Sequence, residues 1–502
     1  MSGVFLKGMV IKMAANNAQE TTLQNFILPD ELCTETQIYY RAIGEVKRIS
    51  ENVLSLPAGS IVATNTYMNL FDISAWKQYT FAQTIELWIE LIGEGIIEVK
   101  SRDVEKEWLY EQITYQTTQK KTIKIRLNGE ISGQVYFQIH ASQHTELYHA
   151  SYRCSDCASP IYLSVVICTY KRKQPLLGNI EKLFQSCFFD KNDWRYHKLF
   201  IRVVDNASEL ILPGKDNFKL YHNPNTGGSG GFTRGLLETR NEISSFPTSH
   251  VVLMDDDAMF QTESLYRIYA LLSYIRPKYK NEVIAGRMFR LDNPQIQYTA
   301  SEVWNRGDIL HMGENLDVSK WESLKDINWQ RGEYSGWWLA VFPYEFTANN
   351  LPLPFFLHCD DVEYGLRHGG KPIVLNGIQV WHETYEYRQS SVMAYYDYRN
   401  TLIVNAKYGL LKADFEKRWK KVISTYHVEK KWDWELAIIV AMSDFLKGYN
   451  RFLKGQGSKH ILTKKMFGMR VLNAVMWRIV SVKLHIGKVK IKSYNAQEEN
   501  WK

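Results

Sequence analysis

The sequence predicts an α/β domain on a parallel sheet, with an antiparallel β-sandwich before it and a helical basic region after it. Three observations carry that expectation. Residues from about 30 to 150 alternate polar and apolar with period two. Beyond residue 160, short continuous apolar runs alternate with helical stripes. Residues 401–502 hold 21 Lys and Arg against 8 Asp and Glu, whereas the first 400 hold 40 against 46, so the net +7 hides an acidic body and a basic tail. These patterns divide the chain into an N-terminal extension (1–29), a sandwich (30–155), an α/β domain (156–400) and a helical region (401–502).

In the sandwich, Ile85, Leu87, Ile89 and Leu91 face one way, with Glu86 and Glu90 facing the other. Gly93-Glu94-Gly95 is expected to turn the chain before Ile97 and Val99. Ile123, Ile125 and Leu127 resume the alternation, Asn128-Gly129 is a hairpin signal, and Val135, Phe137 and Ile139 follow. A carbohydrate-binding role and a purely structural one fit this part equally.

In the α/β domain the apolar runs are Leu163–Cys168, Leu199–Val204 and Val251–Met254, with a helix carrying Ile180, Leu183, Phe184 and Cys187 after the first. Buried strands alternating with helices make a parallel sheet covered on both faces. Ligands then bind beyond the carboxyl ends of the strands, where Thr169, Asp205 and Asp255 to Asp257 stand.

Composition narrows the class. The chain has 502 residues, 45% hydrophobic and 23% charged, with 30 Gly and 13 Pro, which excludes disordered and collagen-like chains. No run of 18 apolar residues exists; Leu436–Met442 soon meets Asp444 and Lys447. Met1–Met13 carries Lys7 and Lys12 and no small-residue cleavage site, so a secretory signal is not expected. Six unevenly spaced cysteines argue for a reducing compartment, and the lone Cys154-Ser-Asp-Cys157 is weak ground for zinc or redox chemistry. The tail mixes its basic residues with Phe445, Phe452, Met466, Phe467, Met469, Leu472, Val475, Met476 and Trp477. That mixture suits a membrane surface better than nucleic acid, and a solvated helical face remains the plain alternative.

Five segments can carry chemistry. Asp255-Asp256-Asp257 gathers three carboxylates at a strand end, a costly arrangement unless a cation neutralises them. Oxygen ligands of this kind suit Mg²⁺ or Mn²⁺; a solvated acidic turn is the bland reading. Asn225 to Phe232, with four glycines, lets the backbone approach a ligand and precedes a helix expected over Phe232–Thr239; a flexible loop is the alternative. His358-Cys-Asp-Asp-Val-Glu-Tyr-Gly365 supplies a second acidic cluster, either a general base or a surface loop. His382, after a short apolar run, is a metal ligand or a structural histidine, and Trp337-Trp338 either stacks on sugar or fills the core.

Together, Ser164-Val-Val-Ile-Cys-Thr-Tyr-Lys-Arg172, Val203-Val-Asp-Asn-Ala-Ser208 and the Asp triplet resemble glycosyltransferase family 2 with its Rossmann-like GT-A fold. The Asn225–Phe232 loop, Trp337-Trp338, Asp360-Asp361, Trp381-His382 and Tyr395-Tyr-Asp-Tyr-Arg-Asn400 resemble the galactofuranosyltransferases of the cell-wall galactan polymerase type. The resemblance is strong over 160–400 and architectural elsewhere. It implies Asp255, Asp257 and His382 as ligands of Mn²⁺ or Mg²⁺, and Asp361 as catalytic base. It implies Thr169, Arg172, Asp205, Asn225, Gly228 and Asp256 around the UDP-sugar donor. Trp337, Trp338, Asp360 and Glu363 would line the sugar and acceptor pocket. The implied reaction is inverting transfer of galactofuranose from UDP-galactofuranose to a glycan or lipid-linked glycan, with rhamnosyl, glucosyl or galactopyranosyl transfer as the alternative. The implied place is cytoplasmic, peripheral on the inner face of the plasma membrane, without nucleic acid and with homo-oligomer formation left open.

Overall fold

The structure is a computed structural model that describes residues 20–103, 106–385, 390–412, 414–448, 452 and 469–486. The break expected at Gly455–Ser458, and the tail residues Met466 and Phe467, lie outside the described residues.

Ten strands between Thr21 and Cys154 are linked, all antiparallel, into one hydrogen-bonded sheet. Four of them dominate: β1 (Ile85–Arg102), β2 (Glu107–Leu127), β3 (Gln134–Ala141) and β4 (Thr145–Cys154). The expected turn at Gly93-Glu94-Gly95 is not one, because β1 runs straight through it for 18 residues. One edge of β1 pairs with β2 throughout, and the register shifts between Leu91 and Gly93. The other edge pairs with β4 up to Ile92 and with β3 from Gly95 onward. The glycines mark a bulge at which a strand changes partner, a device that lets a sheet fold over on itself. Gly93 has φ +130°, and a Cβ there would meet Thr145 Oγ1 at 2.4 Å. The two-residue spacing of Gly93 and Gly95 reads the same for a turn and a bulge; partner pairing decides between them.

The α/β domain is built on a six-stranded sheet. Its strands are β5 (Leu163–Thr169), β6 (Leu199–Asp205), β7 (Phe218–His222), β8 (His250–Asp255) and β9 (Ala340–Pro343), with Ile284–Ala285 at one edge. The order is β7-β6-β5-β8-β9-(Ile284–Ala285). The first four are parallel and β9 is antiparallel to β8. The expected apolar runs are these central strands: Leu163, Val165, Ile167, Ile201, Val203, Val252 and Met254 are all buried. Helices α1 (Lys173–Phe184), α2 (Gly227–Asn241) and α3 (Thr262–Ser273) follow β5, β7 and β8. A smaller four-stranded sheet ends on β10 (Gln379–His382), whose last residue delivers His382 to the carboxyl end of β8.

The N-terminal sheet is bonded to this domain by buried polar groups rather than a linker. Glu263 of α3 accepts from the Asn25 backbone and side-chain N–H groups, both at 2.8 Å, and Arg267 donates to the Met68 carbonyl at 2.7 Å. Buried polar groups hydrogen-bonded across a boundary fix orientation as well as contact.

Toward the C-terminus follow helices α4 (Asp360–His368), α5 (Ser391–Lys407), α6 (Phe415–Val428), α7 (Trp432–Leu446) and α8 (Met469–Ile486). Leu436, Ile438, Ile439, Met442, Phe445 and Phe452 are buried against α5 and α6, so Phe445 and Phe452 belong to the core rather than to a surface. On α8 one face, with Asn473 and Val480, is buried, while Val475, Ile479 and Val482 form an exposed stripe and Trp477 is also exposed. Among the described residues no helix is long and apolar enough to cross a membrane. All six cysteines are free thiols.

Candidate active site

Parallel register sets the site. Thr169 pairs with Asp205 and Cys168 with Asp255, so the three strands end side by side. Beyond these ends lies a cleft of 1360 Å³, walled by Thr169, Arg172, Asn225, Gly228, Asp255, Asp256, Trp337, Trp338, Asp360 and Asp361.

The Asp triplet splits as it leaves β8. Asp255 and Asp257 turn to His382, whose Nε2 lies 3.7 Å from Asp255 Oδ2 and 3.1 Å from Asp257 Oδ1. One ligand atom from each of the three lies within 4.8 Å of the others, a spacing that a single divalent cation can span. His382 Nδ1 is 2.8 Å from the Glu383 carbonyl. A carbonyl accepts only, so Nδ1 carries the proton and Nε2 is the nitrogen turned to the two carboxylates. Asp256 turns inward instead: Thr169 Oγ1 donates to it at 2.6 Å, and Arg172 stands 3.5 Å from it and 2.5 Å from Asp257. Burial pushes the Asp256 carboxyl up to about 7, against the lowering hydrogen bond from Thr169. Asp256 is therefore a support under the cluster, and Arg172 is the cation that meets it from the cleft.

The glycine-rich loop is part of α2, which starts at Gly227, five residues before the expected start. Its glycines answer mainly to packing. At Gly227, φ is +71° and a Cβ would lie 2.0 Å from the Phe356 carbonyl. Gly230 lies against Thr226, and Gly231 against Cys168. Gly228 faces the cleft with Asp360 Oδ2 as its nearest neighbour, and Asn225 Oδ1 accepts from the Gly227 N–H at 3.1 Å.

Asp205 is not brought into the cleft wall. It is buried, and it accepts from the backbone N–H groups of Ala207, Glu209 and Leu210 at 2.8–2.9 Å. Its charge holds the loop beside the site. Trp338 is committed to the core, with its indole donating to the Gly286 carbonyl at 2.8 Å. Trp337 packs edge-on against Phe232 and Tyr364, and its buried Nε1 has no hydrogen-bond partner among the described residues.

The second acidic cluster opens α4. Asp360 accepts from Ser229 Oγ at 2.9 Å, and Asp361 from the Val362 N–H at 2.7 Å. Burial holds the Asp361 carboxyl well above the ordinary range, and the charges of Asp360, Glu302 and Asp255 push it the same way. Burial likewise raises Asp360. Glu363 corrects the expectation that it lines the pocket. Two residues along a helix is about 200° of rotation, so it points away from Asp361. It is fully buried, paired with Lys407 and with Arg367 at 2.9 Å, and Tyr408 donates to it at 3.3 Å.

Sequence reasoning gave no role to Glu302, His358 and Tyr385, which also line the cleft. Glu302 sits in the hairpin Glu302–Asn305/Asp308–His311, with His311 Nδ1 3.0 Å from its carboxylate. It has no motif around it; only the fold carries it to Asp361.

A doubly wound sheet with an acidic strand-end cluster, a facing histidine and a separate half-buried carboxylate has the frame of the GT-A class of transferases. Comparison with known proteins gives the family. Residues 164–305 match the family model for glycosyl transferase family 2, and residues 23–155 match that for the galactofuranosyltransferase 2 N-terminal region. The chain thus carries a family 2 glycosyltransferase domain, preceded by an N-terminal region of the galactofuranosyltransferase 2 type. It is similar to galactofuranosyltransferase GlfT2 of Mycobacterium tuberculosis, 23% identical over 448 residues, which are 79% of this chain and 66% of that protein. GlfT2 of Mycolicibacterium smegmatis is 26% identical over 263 residues, 46% of this chain and 38% of that protein. The chain thus spans about two thirds or less of these relatives' length. A family 29 carbohydrate-binding module superposes on 27% of the chain and 88% of itself, at 11% identity and a TM-score of 0.18, too slight a likeness to bear on function.

Proposed function

We propose that the chain is an inverting, metal-dependent transferase that moves galactofuranose from UDP-galactofuranose to a hydroxyl of a lipid-linked glycan in bacterial cell-surface polysaccharide synthesis. One observation carries the reading: two carboxylate groups of opposite electrostatic setting share a cleft. Asp255 and Asp257 face His382, and Arg172 pairs with Asp257, whereas Asp361 faces other carboxylates.

A displacement at an anomeric carbon needs both settings. The departing diphosphate gathers negative charge, and the incoming hydroxyl must lose a proton. Asp255, Asp257 and His382 would hold Mn²⁺ or Mg²⁺, which supplies Lewis-acid stabilisation to the departing UDP. Arg172 adds fixed positive charge at the same wall. Asp361, kept basic by burial and by like charges, takes the acceptor's proton at its carboxylate. One displacement from the opposite face inverts the centre, so an α-linked donor gives a β-linked galactofuranose. Thr169, Asn225 and Gly228 line the donor wall, with Asp205 and Asp256 supporting it from behind. Trp337, Trp338 and Asp360 stand on the sugar and acceptor side.

The basic C-terminal region supports peripheral contact with the inner face of the plasma membrane. Val475, Ile479 and Val482 recur at helical spacing on the outer face of α8, with Arg478 and Lys483 exposed beside them. Replacing the three by Glu should release the chain from vesicles of anionic lipid; unchanged binding discards this contact.

The central test incubates purified protein with Mn²⁺ or Mg²⁺, a galactofuranoside acceptor with a lipid-like aglycone, and several UDP-sugars in parallel. Product formed with UDP-galactofuranose alone supports the donor. Turnover with UDP-glucose or UDP-galactopyranose instead keeps the displacement chemistry and discards the donor. A product anomer that retains the donor's configuration discards the single displacement.

A further inference from the structure

The turn that delivers Asp361 is strained. Phe356, His358 and Cys359 have φ of +74°, +64° and +63°, left-handed values that cost a non-glycine residue about 1–2 kcal/mol each. None is glycine, and Cys359, the N-cap of α4, makes no side-chain capping bond. Such a turn persists only when its surroundings over-determine it.

The surroundings are on α5. Asn400 is fully buried, and its Nδ2 donates to the carbonyls of Leu357 at 2.7 Å and His358 at 2.8 Å, with Phe355 at 3.4 Å. Its Oδ1 accepts from Arg399 Nε at 2.9 Å, which fixes which way the amide faces. Arg399 also donates to the Phe355 carbonyl at 2.8 Å and to Tyr395 OH at 3.2 Å, and Tyr395 donates to Asp444 of α7 at 2.7 Å. Three residues before Asn400 on the same helix, Asp397 lies 2.5 Å from His358 Nδ1. On the far side of the turn, the Phe356 carbonyl rests on Gly227 and accepts from the Ser229 N–H at 3.4 Å.

We propose that Asn400 is a positioning residue for Asp361: its amide ties the carbonyls of the left-handed turn to α5, and so fixes where the base stands in the cleft. The proposal rests on the base role of Asp361 given above. The chemistry of the position is narrow. An amide offers two N–H donors to the turn and one acceptor to Arg399. A carboxylate there would face three carbonyl oxygens, and an alanine would leave them unpaired.

The test compares Asn400→Ala, Asn400→Asp and Asp361→Asn by turnover number, donor KM, and UDP affinity in the presence of Mn²⁺. A displacement of about 1 Å in a catalytic group costs on the order of 100-fold. The turnover number of Asn400→Ala should therefore fall ~10–100-fold, and that of Asn400→Asp further, with donor KM and UDP affinity within about twofold of wild type. Tyr395→Phe, which cuts the chain of bonds at its far end, should lower turnover a few-fold in the same pattern. It decides the matter if the Asn400 variants do not fold. Unchanged turnover in a folded Asn400→Ala, or a parallel loss of UDP affinity, overturns the positioning role. If Asp361→Asn itself turns over normally, the base reading falls and this inference falls with it. An inactive Asp361→Asn beside a fully active Asn400→Ala overturns the inference alone.

Discussion

The two acidic clusters, Asp255–Asp257 and Asp360–Glu363, look alike in sequence and differ in almost every physical respect once folded. The first closes a strand at Asp255 and turns at once, which brings Asp255 and Asp257 to His382 and sends Asp256 in to Thr169. The second starts a helix, where Asp361 and Glu363 point apart, one into the cleft and the other into a nest of Lys407, Arg367 and Tyr408. The first is met by a cation, Arg172, and by an imidazole. In the second, Asp361 is met by Asp360, Glu302 and burial, which push it toward holding a proton. Equal composition therefore gives a cluster that faces a guanidinium and an imidazole in one place, and one that faces like charges in the other.

The comparison can be broken at several points. The largest expected effect is at Asp361. Asp361→Asn should cut turnover by roughly 10²–10⁴ while UDP binding stays within about twofold, as calorimetry with UDP and Mn²⁺ would read. Wild-type-like turnover would return the second cluster to a structural role. Next is Asp257→Ala, which should lower metal-dependent UDP affinity on the order of 100-fold, by analogy with the loss seen when a ligand's supports are removed. Affinity that is unchanged, or indifferent to chelator in the wild type, would end the metal assignment.

Glu363 separates the two halves of its own cluster. Glu363→Ala leaves Lys407 and Arg367 without their buried partner and should destabilise the fold by about 3 kcal/mol, read by denaturant unfolding. UDP affinity of the folded fraction should not change, and a specific loss of acceptor affinity would restore Glu363 to the pocket.

The smallest effect is a shift along the pH axis. A base works only when ionised, so activity should fall as pH drops through the raised pKa of Asp361. Glu302→Gln removes one of the charges that raise it, and should move the acid limb of kcat/KM to lower pH by up to about one unit. The same shift has a stability sign. A carboxyl whose folded-state pKa is raised binds its proton more tightly when folded, so stability declines as pH rises from the unfolded pKa through the folded one. Asp361→Asn should accordingly unfold at a higher temperature than wild type at neutral pH, and an equal or lower midpoint would contradict the buried setting of this group.

Much of this was legible along the chain. Local signals mark the central strands, the residues at their carboxyl ends, the acidic triplet and the Asp360-Asp361 pair. The period of each run is a local property, and a strand end is where a buried run meets its first charge. Asp205 and Asp256 show the limit of that logic: both stand at strand ends, yet Asp205 turns from the cleft to backbone donors, and Asp256, in the cleft wall, is tied back by the Thr169 hydroxyl. Trp337 and Trp338 share a position in sequence, yet only Trp337 keeps a buried donor with no partner among the described residues. Gly93 was read as a turn and is a change of strand partner.

Apolar period, glycine placement and carboxylate spacing act over a few residues, so the main elements, their order and the kinds of chemistry available can be read along the chain. The tertiary structure alone decided the rest. It brought His382 across 125 residues to Asp257, set Glu302 near enough to Asp361 to raise its pKa, and laid Asn400 against a turn 42 residues away. Those contacts follow from the order of strands in a sheet and the docking of helices on it. Such long-range packing choices leave no periodic trace in the residues they join.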